Sequence, residues 1–208
     1  MGAAYPPAPW KMYGSLWLTM FRLGHDVDEL RPAGWYGAAL VEYADPSPLT
    51  YRELLVARFV GDPADTRHRY AVTITDIWVD SPASRAGGRE LWAIPKELCD
   101  FTHTSEPAGP RGLLTRTSWR TTQDGRPIAA ARFTDASRYV PRLPFSSAVE
   151  QPGIDDHPDP AALTMSGSAQ AAPCHGRWDF AADGPLAYLR DARRLASFRL
   201  SSFRLNFG

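Results

Sequence analysis

Lysine and cysteine are scarce in this chain, and neither sign of charge is in excess. The 23 acidic residues balance the 23 lysine and arginine residues, so the formal net charge is zero. No block of like charge is long enough to form a nucleic-acid-binding arm. No apolar run approaches the roughly 20 residues that span a bilayer, and MGAAYPPAPW lacks the sections of a signal peptide. We therefore expect a cytoplasmic protein that binds neither nucleic acid nor membrane.

The cysteines and histidines give no sign of a disulfide or a metal site. Cys99 and Cys174 are the only cysteines, and they are far apart without a CxxC spacing. This favours two buried thiols over a disulfide or a nucleophile. The five histidines are scattered singly, without the HxH or HxxxH pairs that chelate a metal. We expect neither a metal nor a cofactor.

Length and composition favour one domain over residues 1–208. A chain of 208 residues buries roughly 70% of the surface that its unfolded form exposes, which is enough for one substantial core. No linker and no repeat of about 20 to 50 residues divides the sequence. Nothing in the sequence therefore indicates a second domain.

Strand patterns dominate, and two of them change face part-way. In YAVTITDIWVD (70–80) the apolar positions switch parity, which implies a bulge near Thr75 and Asp76. In SFRLSSFRLNFG (197–208) the parity changes between Leu200 and Phe203. Such breaks are typical of strands that curl. We expect a mainly β (α+β) fold, in which an antiparallel sheet curls into a cone or barrel with a few short helices.

Three other segments have their own patterns. LLTRTSWRTTQDGRPIAAARF predicts a hairpin, because Asp124 and Gly125 suit the positive backbone torsions of a tight turn. DGPLAYLRDARRL (183–195) predicts a helix, with Pro185 in its first turn and Leu186 and Leu189 at helical spacing. LTYRELLVARFV is ambiguous, since its centre is rich in helix formers while its residues also alternate as in a strand.

Four segments, in this order, resemble the acetoacetate decarboxylase superfamily: PPAPWKMYG, SPLTYRELL, GGRELWAIPKEL and the C-terminal segment. The most specific piece is the string GRE-x-x-x-x-PK, in which family members carry the lysine that forms a Schiff base with a keto substrate. The string falls on Gly88, Arg89, Glu90, Pro95 and Lys96. The resemblance implies a mostly antiparallel sheet curled around the active site, and it covers about residues 5–208.

Lys96 is one of only two lysines in a chain that otherwise uses arginine. A Schiff base needs a neutral primary amine, and a guanidinium stays protonated. At an ordinary pKa of about 10.4, roughly one lysine in a few thousand is neutral at pH 7. Desolvation lowers the pKa of a buried lysine. If Lys96 points inward, we expect Leu91, Trp92, Ile94 and Leu98 to contribute to this desolvation.

The resemblance supplies further candidates. Glu97 stands where the family has a second lysine, so we expect it to point away from the pocket. Glu53 matches a family carboxylate and is our candidate general acid and base at the imine. Ser15 stands where family decarboxylases have an arginine for the substrate carboxylate, and Glu42 can substitute for a family glutamate whose place falls near Ala39.

Tyrosine and tryptophan supply the remaining candidate substrate-binding residues. Tyr51 is a candidate hydrogen-bond donor into the cavity, although packing is the commoner role of such a tyrosine. Trp92 is a candidate wall of a barrel that binds a large apolar ligand. Arg89 and Glu90 are expected to have a structural role, as an ion pair or in hydrogen bonds to the strand.

Three functions remain open at this point. The first is a cofactor-free lyase-type enzyme that acts on a keto substrate through a Lys96 Schiff base. Without the carboxylate-binding arginine, aldol addition, dehydration or cyclisation fits better than acetoacetate decarboxylation. The second is a non-covalent cyclase of a polyketide-like secondary metabolite. The third is a non-catalytic binder of a small apolar molecule. The family often assembles into homo-oligomers, yet no apolar stripe here marks an interface.

Overall fold

The computed structural model describes residues 3–61, 71–136 and 140–208, and strands dominate these ranges. They contain one α-helix, α1 (Pro82–Trp92), and eleven strands in one sheet. The strands are β1 (Trp10–Leu23), β2 (Gly34–Ala44), β3 (Tyr51–Phe59), β4 (Val72–Val79), β5 (Lys96–Leu98), β6 (Asp100–Ala108), β7 (Leu114–Gln123), β8 (Arg126–Asp135), β9 (Arg142–Gln151), β10 (Ala161–Phe180) and β11 (Arg193–Phe207). Short 3-10 turns occupy Pro110–Gly112 and Ala187–Leu189.

Part of the sheet closes into a barrel. Neighbouring strands follow the order β11-β1-β2-β3-β4-β9-β10, and β10 also pairs with β11, which closes the ring. The pairs are antiparallel except at the junction of β4 and β9, where Val72 and Val149 form a parallel bridge. The short β5 adds to β4 in parallel. These strands confirm the predicted mainly β fold with a curled, largely antiparallel sheet.

Strand β10 belongs to two layers. It is 20 residues long, and beyond its barrel pairings its C-terminal part pairs with β8, from which the sheet continues through β7 to β6. One hydrophobic core joins these outer strands to residues of β1–β4, and its largest buried side chains include Trp17, Trp119 and Phe133. A second core, which includes Trp10 and Phe203, lines the inside of the barrel.

Both predicted changes of face occur at irregularities in strand pairing. Thr75 is the extra residue of β4 against β3. The register of β11 against β1 shifts between Leu200 and Phe203, where Ser202 has a φ of 49°. The predicted hairpin is also confirmed, because Asp124 and Gly125 have φ values of 51° and 75° between β7 and β8. The ambiguous segment LTYRELLVARFV forms β3.

The predicted helix over residues 183–195 is wrong. Leu186 and Leu189 are buried as their spacing suggested, but the Leu189 amide donates to the Leu186 carbonyl at 3.0 Å, so the segment makes one 3-10 turn. By Arg193 the backbone already pairs with β1. Helical spacing over a single turn was therefore not evidence for a longer helix.

The α-helix, α1, lies where the sequence analysis predicted none. Ser81 caps it by accepting a hydrogen bond from the Ser84 amide at 3.2 Å, and Pro82 occupies its first turn. This is a standard start signal. Within the described ranges, no helix is long and apolar enough to cross a membrane.

Candidate active site

The barrel encloses a cavity of about 450 Å³ whose lining is mostly apolar. This volume lies within the range of about 300 to 1,000 Å³ that is usual for small-molecule sites. The polar lining residues are Tyr43, Tyr51, Glu53, Lys96, Ser146 and Ser147. Of the described residues that line the cavity, only Lys96 and Glu53 carry a formal charge.

The Lys96 side chain lies inside the protein at the edge of this cavity. The residue is 4% exposed. Its Nζ donates to Glu53 Oε2 at 2.9 Å, to Ser84 Oγ at 3.0 Å and to the Tyr51 hydroxyl at 3.3 Å. An ammonium has three N–H groups, so these acceptors satisfy all of them. The resting geometry therefore suits the charged form of the amine.

Two glycines allow α1 to pack closely beside this lysine. A Cβ at Gly88 would lie 2.7 Å from Lys96 Cδ and 2.8 Å from Cε. A Cβ at Gly87 would lie 2.7 Å from the Trp10 ring. The helix ends at Ala93, which has a left-handed φ of 52°, and the chain turns into β5. Gly87 and Gly88 therefore leave the space that the Trp10 ring and the Lys96 side chain occupy.

Arg89 holds β5 in place beside the helix. Its guanidinium donates to the Lys96 carbonyl at 3.2 Å, to Glu97 Oε1 at 3.1 Å and to Asp156 Oδ1 at 2.7 Å. Glu97 therefore points away from Lys96 Nζ, as expected. Glu90 does not pair with Arg89 but accepts a hydrogen bond from the Tyr5 hydroxyl at 2.6 Å. Both residues of the string have structural contacts, although not with each other.

Glu53 lies at the centre of a buried polar cluster formed with Lys96, Tyr43, Tyr51 and Ser84. It lies on β3 and is 3% exposed. Its Oε1 accepts a hydrogen bond from the Tyr43 hydroxyl at 3.1 Å, while Oε2 meets Lys96. The rings of Tyr43 and Tyr51 lie 4.5 Å apart. Burial raises the pKa of Tyr51 to about 12 and that of Tyr43 well above its usual value. Both phenols are therefore protonated near neutral pH.

The pKa of Lys96 departs from the sequence expectation. Burial lowers it, but the negative charge of Glu53 and the contact with Tyr51 outweigh burial, so the pKa of Lys96 is raised above its ordinary value. Leu98, which we expected to desolvate the amine, is itself 40% exposed. The expectation of a lowered pKa is wrong because it omitted the counter-ion.

Two of the predicted substrate-binding residues do not line the cavity. Ser15 and Glu42 lie opposite each other on β1 and β2, and neither contributes to the cavity wall. Glu42 lies 3.5 Å from His103 Nδ1 and 3.7 Å from Arg52 instead. Alternation along a strand explains the error, because their chain neighbours line the cavity. Ala39 does line it, so alanine occupies the place near which the resemblance put a glutamate.

The other predicted residues do come together, and the sequence analysis missed Ser84. Tyr51, Glu53, Trp92 and Lys96 all line the cavity. Ser84 is fully buried and contacts the amine from α1. It shares one face of that helix with Gly88 and Trp92, at intervals of four residues. Recognition of the Ser81–Pro82 start signal would have revealed this face.

Comparison with known proteins agrees with the fold and the string. The family model for acetoacetate decarboxylase matches residues 27–154. By sequence, no curated protein matches the chain. The enduracididine biosynthesis enzyme MppR complexed with pyruvate is 16% identical with a TM-score of 0.64, and the match covers 99% of this chain and 90% of that chain.

Two further solved structures have the same fold. MppR complexed with the condensation product of pyruvate and imidazole 4-carboxaldehyde is 16% identical with a TM-score of 0.58, covering 100% of this chain and 94% of that chain. Acetoacetate decarboxylase from Legionella pneumophila is 13% identical with a TM-score of 0.63, covering 98% and 86%. At these identities the likeness concerns the fold, whereas the family model spans more than half of the chain. The chain therefore belongs to the acetoacetate decarboxylase family, whose members include lyase-type enzymes.

Proposed function

We propose that the protein is a cofactor-free lyase-type enzyme that acts on a keto substrate through a Schiff base at Lys96. The observation that carries the proposal is the position of Lys96 Nζ, which is buried beside a largely apolar cavity and lies 2.9 Å from Glu53 Oε2. An amine and a proton acceptor at this distance are the minimum set for imine chemistry.

The first step is transfer of a proton within the buried pair. Because the pKa of Lys96 is raised, the resting amine is charged and cannot attack a carbonyl. Glu53 accepts one ammonium proton through the existing hydrogen bond, and both groups become neutral. Two neutral groups cost less desolvation free energy in an apolar site than two charged groups do. Substrate that displaces residual water from the cavity favours this transfer.

The second step forms the iminium. The nitrogen lone pair of Lys96 attacks the carbonyl carbon, and the resulting carbinolamine loses its hydroxyl as water when protonated Glu53 returns its proton to that oxygen. A C–H bond at the neighbouring carbon then breaks: its electron pair moves toward the iminium to give an enamine, and its proton passes to the Glu53 carboxylate. The enamine carbon next takes up a proton or attacks a second carbonyl, whose oxygen receives the proton from Glu53, and the iminium is restored. Tyr43, whose hydroxyl lies 3.1 Å from Glu53 Oε1, stabilises the carboxylate in each charged state. Water finally hydrolyses the iminium and releases the product.

Aldol addition, dehydration or cyclisation fits this site better than acetoacetate decarboxylation. The part of the cavity that the structure describes has no arginine in its wall. The structure of MppR, an enzyme with a similar fold, has been solved with a condensation product of pyruvate and an aldehyde. Condensation proceeds through the same enamine, which attacks a second carbonyl instead of only taking up a proton.

Reductive trapping tests the proposal. The protein is incubated with ketones and keto acids plus borohydride, and peptide mass spectrometry locates any adduct. We expect a substrate-dependent adduct on Lys96 that is absent from a Lys96→Met variant and retained in Lys11→Met, which alters the exposed second lysine. Adducts confined to Lys11, or no adduct in a folded protein, would contradict a Schiff base at Lys96.

The alternative is a pocket that binds or cyclises an apolar ligand without covalent chemistry. One observation favours it, namely the three hydrogen-bond acceptors around Lys96 Nζ, which suit an amine that stays charged at rest. Full turnover in a folded Lys96→Met variant would support a non-covalent cyclase. Tight binding without turnover would support a binder of a small apolar molecule.

A further inference from the structure

The charge at the polar end of the cavity is already balanced within the protein. Lys96 and Glu53 are the only charged side chains among the described residues of its wall, and they pair at 2.9 Å. The second oxygen of Glu53 accepts a hydrogen bond from Tyr43. The positive charge of Lys96 is therefore already paired, and no other described lining residue offers one to a negatively charged ligand.

The geometry of an imine places a ligand carboxylate close to this pair. In a 2-oxo or 3-oxo acid the carboxylate is one or two bonds from the carbonyl carbon, so it must lie within a few ångströms of Lys96 Nζ. The groups that surround Nζ are the Glu53 carboxylate and the hydroxyls of Tyr51 and Ser84. A second carboxylate there would lie beside Glu53 in a site of low dielectric, where like charges repel strongly.

The rest of the cavity suits a hydrocarbon. Away from the pair, the wall consists of side chains such as Met12, Leu18, Ile74, Val149 and Met165. At about 30 Å³ for each water molecule, the cavity of about 450 Å³ has the volume of about 15 waters. A ligand of roughly ten to fifteen non-hydrogen atoms would fill it, whereas a three-carbon compound would leave most of the apolar wall uncovered.

We infer that the substrate is an uncharged ketone or aldehyde with a hydrocarbon body, which carries no carboxylate beside the reacting carbonyl. The inference deepens the proposed function and rests on it, because it takes Lys96 as the residue that meets the carbonyl. It also assigns a specificity role to Glu53, whose negative charge disfavours binding of an oxo acid because no arginine among the described lining residues offsets it.

A pair of ligands that differ only in charge tests this inference. Methyl 2-oxodecanoate is uncharged, whereas 2-oxodecanoate is an anion with the same chain. Their dissociation constants are measured by tryptophan fluorescence, because Trp10 and Trp92 line the cavity. Borohydride trapping is measured in parallel and normalised to the reaction of each ligand with a simple amine. We expect the ester to bind at least about tenfold more tightly than the acid.

The Glu53→Gln variant supplies the control for charge. Without the carboxylate, the Lys96 ammonium is free to pair with a ligand anion, so we expect the affinity for 2-oxodecanoate to rise about tenfold or more. The affinity for the ester should stay within about threefold, because its contacts are apolar. The same rise for both ligands would contradict a role of Glu53 in charge selection.

The two measurements separate the inference from the proposed function. If the acid binds as tightly as the ester to the wild-type protein, the inference is overturned, even if Lys96 is trapped. If the ester binds more tightly but no ligand is ever trapped, the Schiff base is overturned and the charge selection stands. Tighter binding of the ester together with an adduct on Lys96 supports both.

Discussion

Substitution of Gly88 by alanine is expected to displace the amine of Lys96. The new Cβ would lie 2.7 Å from Lys96 Cδ, whereas carbon atoms in contact are normally about 3.5 to 4.0 Å apart. The lysine stem must therefore move by about 1 Å. Its Nζ sits 2.9 Å from Glu53 Oε2, and N–H···O hydrogen bonds are usually about 2.7 to 3.2 Å long. A shift of this size breaks the contact.

The expected effects of Gly88→Ala on activity and stability follow from that shift. A misplacement of about 1 Å costs about 100-fold in rate, so we expect Schiff-base trapping to slow by about this factor. In a helix, alanine is about 1 kcal/mol more favourable than glycine, while loss of one partner of a buried pair costs about 3 to 5 kcal/mol. A partly broken pair should therefore lower the free energy of unfolding by about 2 kcal/mol.

Gly87→Ala is the matched comparison, because the same atom is added one residue earlier. Its Cβ would meet the rigid Trp10 ring at 2.7 Å, so it should destabilise the protein by about 1 to 3 kcal/mol and slow trapping much less than Gly88→Ala. Urea unfolding and borohydride trapping measure the two quantities. Trapping at the wild-type rate in Gly88→Ala, with a gain of about 1 kcal/mol in stability, would refute the reasoning.

Three other predictions follow from the buried cluster and the thiols. Glu53→Leu and Lys96→Met should each lower the free energy of unfolding in urea by about 3 to 5 kcal/mol, and the double variant should lose much less than their sum; additive losses would contradict a coupled pair. Because the pKa of Lys96 is raised in the folded protein, its contribution to stability is complete below the unfolded pKa of about 10.4 and is lost as pH rises through the folded value. The stability advantage of the wild type over the double variant should thus fall only above about pH 10, and a fall between about pH 7 and 9 would argue against a raised pKa. Burial raises the pKa of Cys99 to about 12, so a thiol reagent at pH 8 should label it only after unfolding, and rapid labelling of the native protein would be inconsistent with its burial.

The curled sheet could be predicted because its signals are local. The switch of parity around Thr75 and the break before Phe203 each reflect one irregularity in strand pairing. The turn at Asp124 and Gly125 depends only on backbone torsions. The position of Lys96 was predicted through the family string, in which helix α1, Gly88 and the lysine are close in sequence.

The remaining errors concern contacts and strand parity that neither the sequence patterns nor the resemblance determined. The pair of glycines in α1 lowers helix propensity, and the need for them becomes clear only when Trp10 and the lysine stem are in place. The faces of Ser15 and Glu42 depend on strand parity, which a resemblance in spacing does not fix. The counter-ion of Lys96 comes from β3, 43 residues away. Contacts between distant segments explain the packing of Gly87 on Trp10 and the counter-ion of Lys96, whereas strand parity alone explains Ser15 and Glu42.

The polar corner of the cavity, formed by the side chains around Lys96 Nζ, and the rest of the cavity wall are built by different parts of the chain. The corner needs the stretch 81–98, the start of β3 and Tyr43 of β2, whereas much of the apolar wall comes from β1, the rest of β2, β9, β10 and β11. Residues of the wall can therefore change in size without moving the amine. In evolution and in protein engineering, single substitutions in the wall of such a scaffold can therefore change which ligand binds, while the chemistry of the corner is retained.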